Sequence, residues 1–333
     1  MKKATDTMPG PSAVNPDRAD ERVPVGVSSC LLGERVRFDG NHKHDAYVTG
    51  TLGCYFDLVP FCPEVAIGLG VPRPPIRLEG ETDRPRAVGV KDPGLDVTRE
   101  LAAYGHRVAD EAAALCGFIL KKGSPSCGME RVKVYRKGGG APGAGSGVFA
   151  RALRERMPLL PMEEEGRLGD SVLRENFIAR VFAYHRLRAL SASGPTPGAL
   201  VRFHSRHKLL VMAHSQAAYR RMGQLVARAG IEPIKPLAAT YARELMTALA
   251  RRVPRGRHVN VMQHLMGYLK EHLDALDKAE MVEVLDAYRK GHLPLVVPIT
   301  LLKHHFRRHP HPYVADQYYL KPHPPELMLR NLL

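Results

Sequence analysis

Val25-Gly26-Val27-Ser28-Ser29-Cys30 is a short apolar run that ends on a cysteine. Leu58-Val59-Pro60-Phe61-Cys62 repeats the pattern, and Phe118-Ile119-Leu120 repeats it through Lys121-Lys122-Gly123-Ser124-Pro125-Ser126-Cys127. Short apolar runs bounded by turn residues read as buried strands of a parallel sheet. Open α/β sheets take their ligands outside the carboxyl ends of the strands. Cys30, Cys62 and Cys127 are therefore expected to meet at one point. Three soft ligands there suit a metal ion or an iron–sulfur cluster with one coordination position left open. Spacing does not separate zinc from a cluster, although the compact Cys-x-x-Cys pairs of structural zinc sites are lacking.

Outward from these runs, residues 23–165 alternate strand-like and helix-like segments. Asp96–Cys116 carries Leu101, Val108, Ala112 and Leu115 at roughly the helical period and stops at Gly117. Gly117–Leu120 and Val132–Tyr135 read as strands, Gly138–Gly147 as a flexible loop, Gly147–Arg156 as a helix and Pro158–Met162 as a last strand. The loop is no P-loop, because no Gly-Lys-Ser/Thr closes it. The alternation predicts a doubly wound, mostly parallel, Rossmann-like α/β domain.

The pattern then changes. Leu168–Leu190 reads as a helix with Val172, Phe177, Val181 and Tyr184 on its apolar side, and Ser191–Gly198 as a linker. Val201–Ala229, Pro236–Arg252 and Val259–Lys290 (the last with Leu265, Leu269 and Leu276) carry apolar residues at helical spacing, so this half is expected to be an all-α bundle. Seven prolines between Leu293 and Leu333 predict a tail of short helices and extended pieces. The expected organisation is a disordered leader at 1–22, a catalytic domain at 23–168, a connecting helix and linker at 169–199, and a basic helical domain at 200–333. The leader lacks the apolar core of a signal peptide and no stretch is long enough to span a bilayer, so a cytoplasmic protein without a membrane partner is expected. Five cysteines, an odd number, do not suit a disulfide framework.

Charge is distributed unevenly. The formal net charge is +15, and residues 201–333 hold 21 Lys+Arg against 10 Asp+Glu, together with 12 of the 16 His. A basic domain joined to a nearly neutral one suits a polyanion held by one half and processed by the other. Arg202, Arg206, Lys208, Arg220 and Arg221 on the first basic helix, and Lys303, His304, His305, Arg307 and Arg308 in the tail, are expected to form a phosphate-tracking face. Arg35, Arg37, Lys43, Arg73 and Arg77, with Asp39 beside them, are the corresponding candidates in the first half.

Cys54 and Cys116 read as small buried hydrophobes without a role. Glu64 follows Cys62 across Pro63 and suits a general acid/base beside the thiols. Ser124 and Ser126 flank Pro125 and could position water, or could simply serve the turn.

Ser29-Cys30-Leu31-Leu32-Gly33 with Val36-Arg37-Phe38-Asp39-Gly40, then Cys62-Pro63-Glu64, then Ser124-Pro125-Ser126-Cys127-Gly128 resemble the thiouracil desulfidase (TudS) family over residues 23–165. That resemblance implies a 4Fe-4S cluster held by Cys30, Cys62 and Cys127, with one iron not bound by protein, and catalytic roles for Glu64 and Ser124. Val201-Arg202-Phe203-His204-Ser205-Arg206-His207-Lys208, Gln317-Tyr318-Tyr319-Leu320 and Pro324-Pro325-Glu326-Leu327 resemble the YbgA-type helical domain. The fusion of the two is similar to the RudS proteins. It implies removal of sulfur from 4-thiouridine in transfer RNA to give uridine, the sulfur passing to the open iron and then to an acceptor that the sequence does not identify. Two alternatives stand beside it: the same chemistry on free thiouracil or thionucleosides, and a non-enzymatic iron–sulfur regulator that binds nucleic acid.

Overall fold

A computed structural model describes residues 22–136 and 139–331. The predicted leader therefore lies outside the described residues, apart from Arg22. Eight strands and ten principal helices follow in chain order. The strands are β1 (Val23–Ser28), β2 (Phe56–Phe61), β3 (Ile76–Glu79), β4 (Arg86–Gly89), β5 (Gly117–Leu120), β6 (Val132–Tyr135), β7 (Gly143–Gly145) and β8 (Met162–Glu164). The helices of the first half are α1 (Pro63–Ala66), α2 (Thr98–Glu111) and α3 (Val148–Arg156).

The first sheet runs β2-β1-β5-β8, and every pair in it is parallel. β1 leads to β2 on one side, and the chain then crosses to β5 on the other, so the order reverses at β1. The crevice outside the carboxyl ends at such a reversal is where α/β sheets bind ligands. β1 and β5 are apolar and buried because both faces of the sheet are covered. They approach closely at Gly26, where a Cβ would lie 2.5 Å from the Phe118 ring.

A second sheet, β4-β3-β6-β7, was not foreseen. It is mixed: β3 pairs parallel with β6, and the other two pairs are antiparallel. Gly143–Gly145, read as loop, pairs antiparallel with Val132–Val134 because a glycine-rich run offers its backbone where side chains would crowd. The last strand of the first sheet lies later than expected, at Met162–Glu164.

The second half is helical: α4 (Ser171–Ala192), α5 (Pro197–His214), α6 (Gln216–Ala227), α7 (Ile234–Leu249), α8 (Arg255–Met266), α9 (Ala275–Lys290) and α10 (Val296–Arg308). The expected single helix over Val201–Ala229 breaks at Ser215, whose side chain accepts a hydrogen bond from Ala218 N and so caps α6. The stretch expected as one helix over Val259–Lys290 breaks likewise, and Asp274 caps α9 by accepting from Asp277 N. The tail is less broken than its prolines suggested. Pro298 sits in the first turn of the 13-residue α10, where its missing N–H costs no helical bond. Val172 and Leu276, expected to face cores, are 47% and 81% exposed.

α4 joins the halves, packing Phe177, Ile178 and Val181 against the first sheet and Ala183 and Leu187 into the bundle. The tail then returns to the first half. Leu327 and Leu329 enter the cluster formed by Val23, Val25, Cys30 and Leu31, while Arg330 Nε donates to Glu175 of α4 at 2.7 Å.

Candidate functional site

The carboxyl ends of β1, β2 and β5 open on one cavity of about 230 Å³. Cys30 follows β1, Cys62 follows β2 and Cys127 ends the loop after β5, and all three line the cavity. None is in a disulfide. Local structure places each one. After β1 the chain turns into a short 3-10 helix over Ser29–Leu32, which Gly33 closes at φ 94. Pro63 starts α1 directly after Cys62. The Ser124–Gly128 loop sits on the start of α3, and Gly147 permits the contact. A Cβ there would lie 2.5 Å from Ser126 O and 3.0 Å from Cys127 N.

The thiols feel one another. Burial pushes Cys30 up to about 11, and Cys62 adds to that rise while Lys121 and Arg37 oppose it. Burial also raises Cys127 well above the ordinary thiol value, with further repulsion from Glu64, Cys62 and Cys30. Cys62 rises mainly by burial, and N–H groups at the start of α1 partly offset it. Two buried thiols and one half-buried one, each raised by burial and by its neighbours' charge, need a cation among them to become thiolates.

Among the described residues, no three Cys, His, Asp or Glu side chains are spaced to hold a single metal ion. A cluster whose irons each take a different thiolate needs ligands spread around a larger body. The donor set here, three cysteines facing one cavity, fits that case.

Glu64 lies on the cavity wall and both of its oxygens are engaged. Oε2 accepts from Arg73 Nε at 2.9 Å, with Arg73 Nη2 at 2.8 Å, and Oε1 accepts from Ser126 Oγ at 2.8 Å. Ser126 is completely buried. Arg73 also donates to Gly70 O at 2.8 Å and Val36 O at 2.9 Å. Its assignment as a guide for the RNA backbone is therefore corrected: Arg73 is buried in the cavity wall because Pro72 and Gly70 turn the chain back over Glu64. Ser124 Oγ accepts from Ser126 N at 3.2 Å and Cys127 N at 3.1 Å. With those lone pairs occupied, its O–H remains to donate.

Sequence reasoning missed the roles of Arg73 and Ser126 around Glu64, and it missed Lys121 and Lys122 on the cavity rim. Lys121 Nζ pairs with Glu165 just beyond β8, and Lys122 N donates to the same carboxylate at 2.6 Å. The signal available was position alone, since both lysines follow a buried strand directly.

The basic candidates are scattered. Arg37 lines the cavity and pairs with Asp39 at 3.3 Å, while Lys43 is exposed nearby. Arg77 binds Glu79 through Nε at 2.8 Å and lies over Tyr135. Arg202 and Arg206 line one groove with Arg186 and Tyr318, whereas Lys208 and Arg220 line another with His204 and Tyr219. Arg220 and Arg221 fall on α6, and Arg221 pairs with Glu244 at 2.8 Å. Lys303 is half-buried, Arg307 and Arg308 are exposed, and His305 is buried rather than part of a surface. The single phosphate-tracking face expected from sequence is thus divided between two grooves and a helix end.

Four of the 12 histidines of the basic half are held neutral by burial. Burial lowers His204 and His214 to about 4 and His258 to about 3, and it lowers His207 well below the ordinary value. No helix among the described residues is long and apolar enough to cross a membrane.

Residues 25–165 match the 2-thiouracil desulfurase family, and residues 208–324 match a family described as a protein of unknown function (DUF1722). Uncharacterized protein YbgA of Escherichia coli (strain K12) is 32% identical over 166 residues, covering 50% of this chain and 95% of that protein. The solved structure of a 4Fe-4S-dependent thiouracil desulfidase, TudS, is 32% identical and covers 47% of this chain and 100% of its own, with a TM-score of 0.38.

Proposed function

The chain belongs to the YbgA family and carries a 2-thiouracil desulfurase domain at residues 25–165, and from that premise we propose that it is an iron–sulfur desulfidase removing sulfur from 4-thiouridine in transfer RNA. The carrying observation is the single cavity that gathers Cys30, Cys62, Cys127, Glu64 and Ser124 from three strand ends. The net charge of +15 supports a polyanionic substrate.

Held by Cys30, Cys62 and Cys127, a 4Fe-4S cluster would supply a soft Lewis acid whose fourth iron, without a protein ligand, prefers sulfur to oxygen. The chain's own groups do the rest. Glu64 takes a proton from water, directing it at the thiocarbonyl carbon, and one such positioned base is typically worth ~10²–10⁴ in rate. Arg73 and Ser126 fix the direction of its lone pairs from either side. Ser124, accepting two backbone N–H groups, turns its O–H toward the ring. The reaction replaces C=S by C=O, consumes one water and releases sulfide, so no electrons are gained or lost. A base in folded RNA must leave its stack to enter the cavity, at a cost of a few kcal/mol that phosphate contacts can offset.

The test uses cluster-loaded full-length protein under anaerobic conditions. It should convert 4-thiouridine in thiolated transfer RNA to uridine, while Cys30→Ala loses iron and Glu64→Ala keeps iron but not turnover. Inert behaviour on thiolated RNA would end this reading. The family's description favours a second one, action on free 2-thiouracil. Equal turnover of free base and RNA, insensitive to salt, would select it.

A further inference from the structure

A second polar cavity, of about 290 Å³, lies at the seam between the two halves. Its wall combines Met129 and Glu130 from the loop beyond Cys127, Arg154 of α3, Glu163 of β8, Arg180 of α4 and Arg252 just past α7. Asn176 of α4 fixes this junction by donating to Leu249 O at 2.9 Å, which places the end of α7 over the cavity.

The charges do not balance. Both carboxylates turn to Arg167: Glu163 binds its Nε at 2.6 Å and Glu130 lies 3.6 Å from Nη1. Arg154 donates to Ser146 Oγ at 3.3 Å. Arg154, Arg180 and Arg252 have no ion-pair partner among the described residues. Arg180 stands out in this wall because its Nε is buried without a hydrogen-bond acceptor among the described residues. Burial lowers its pKa, and Glu163 alone opposes the shift. A buried guanidinium donor left unmatched is costly, and an outside acceptor would remove that cost. The planar fork of arginine suits the oxygens of a phosphate group, and several such forks around one cavity suit it better.

We propose that the seam is a phosphate site, in which Arg180 donates from the wall and Arg154 and Arg252 close over a phosphate group of the substrate RNA's backbone. The phosphate chemistry stands on the geometry, and only the RNA as its source rests on the function proposed above. The loop that carries Ser124 and Cys127 into the catalytic cavity continues as Met129 and Glu130 into the seam. An occupied seam therefore holds the RNA against the element that also carries the catalytic serine.

The experiment measures melting of the full chain in sodium phosphate against chloride of matched ionic strength. Phosphate should raise the wild-type midpoint by a few degrees, and Arg180→Met should abolish the rise. Without phosphate, Arg180→Met should melt close to wild type, because among the described residues the guanidinium it removes makes no hydrogen bond or ion pair and feels only the more distant charge of Glu163. Arg252→Met, at an exposed position, should reduce the rise without touching the buried wall. An undiminished phosphate effect in Arg180→Met overturns the site. A second arm measures binding of an unmodified RNA hairpin. A loss of about tenfold or more in Arg180→Met supports RNA as the source. Unchanged hairpin affinity alongside a lost phosphate effect retains the site and assigns it to a small phosphate ester. A phosphate effect in a chain that binds no RNA overturns the RNA source and the function reading together, and leaves the site intact.

Discussion

Replacing Arg73 by Met isolates the contribution of the pair that holds Glu64. The Arg73 side chain is only 4% exposed and that of Glu64 14%, so neither is well solvated. Arg73→Met removes the cation and also strands the carbonyls of Val36 and Gly70. Breaking a buried pair by deleting one partner costs about 3–5 kcal/mol, because the remaining charge stays buried. At about 2–4 °C per kcal/mol for a domain near this size, the desulfurase half should melt on the order of 10 °C lower. The assay is a thermal melt or urea titration of the single variants and of Arg73→Met/Glu64→Leu. Removing the stranded carboxylate should restore about 2 kcal/mol of the loss, an interaction energy typical of contacting residues. An unshifted midpoint in Arg73→Met, or strict additivity in the double variant, would refute the pairing as the support of Glu64.

Two further outcomes follow from geometry. Gly147→Ala places a methyl group 2.5 Å from Ser126 O and should cost about 1–3 kcal/mol by overpacking; it should also lower iron uptake on reconstitution, and iron content equal to wild type would contradict the role given to this contact. The helical half should weaken in mild acid. His204 and His214 titrate at about 4 and His258 at about 3 in the folded chain, against about 6.5 when unfolded, because burial disfavours their charge. The unfolded chain therefore binds more protons below pH ~6.5, so stability is full above that value and falls as pH drops toward the folded values, in the end by about 3 kcal/mol each for His204 and His214 and roughly 5 kcal/mol for His258. Urea midpoints at pH 7.5 and 5 read this directly, and equal midpoints would contradict it.

β1 and β5 were legible because they are buried on both faces and so read as unbroken apolar runs, each leading to a cysteine, and β2 was legible in its Leu58–Phe61 stretch although Asp57 and Pro60 are exposed. The second sheet was not. Ile76–Glu79 and Arg86–Gly89 are four residues each, lie among prolines and charges, and become strands only by pairing. Helix existence was legible from periodicity, but the break at Ser215 was not, since a capping serine inside an apolar period looks like one more polar position. Cys30, Cys62, Glu64, Ser124 and Cys127 were singled out by motif, and the fold brings all five to one cavity. Arg73 was misplaced because a basic residue in a proline-rich loop looks solvent-bound until the loop is folded over a carboxylate. Arg180 was passed over because it lies in the connecting helix, and only the docking of α7 against α4 makes its surroundings a cleft.

Leu327 and Leu329 complete an apolar cluster whose other members include Val23, Val25 and Leu31. During synthesis, then, the desulfurase half emerges from the ribosome with a gap in its floor that is plugged only once residues near 330 have been translated. Cys30 belongs to that same cluster. Insertion of the proposed cluster into a nascent chain would meet an unfinished wall behind one of the three cysteines proposed to hold it, which favours loading after release, and a polypeptide arrested before Leu327 would expose greasy surface to chaperones and proteases.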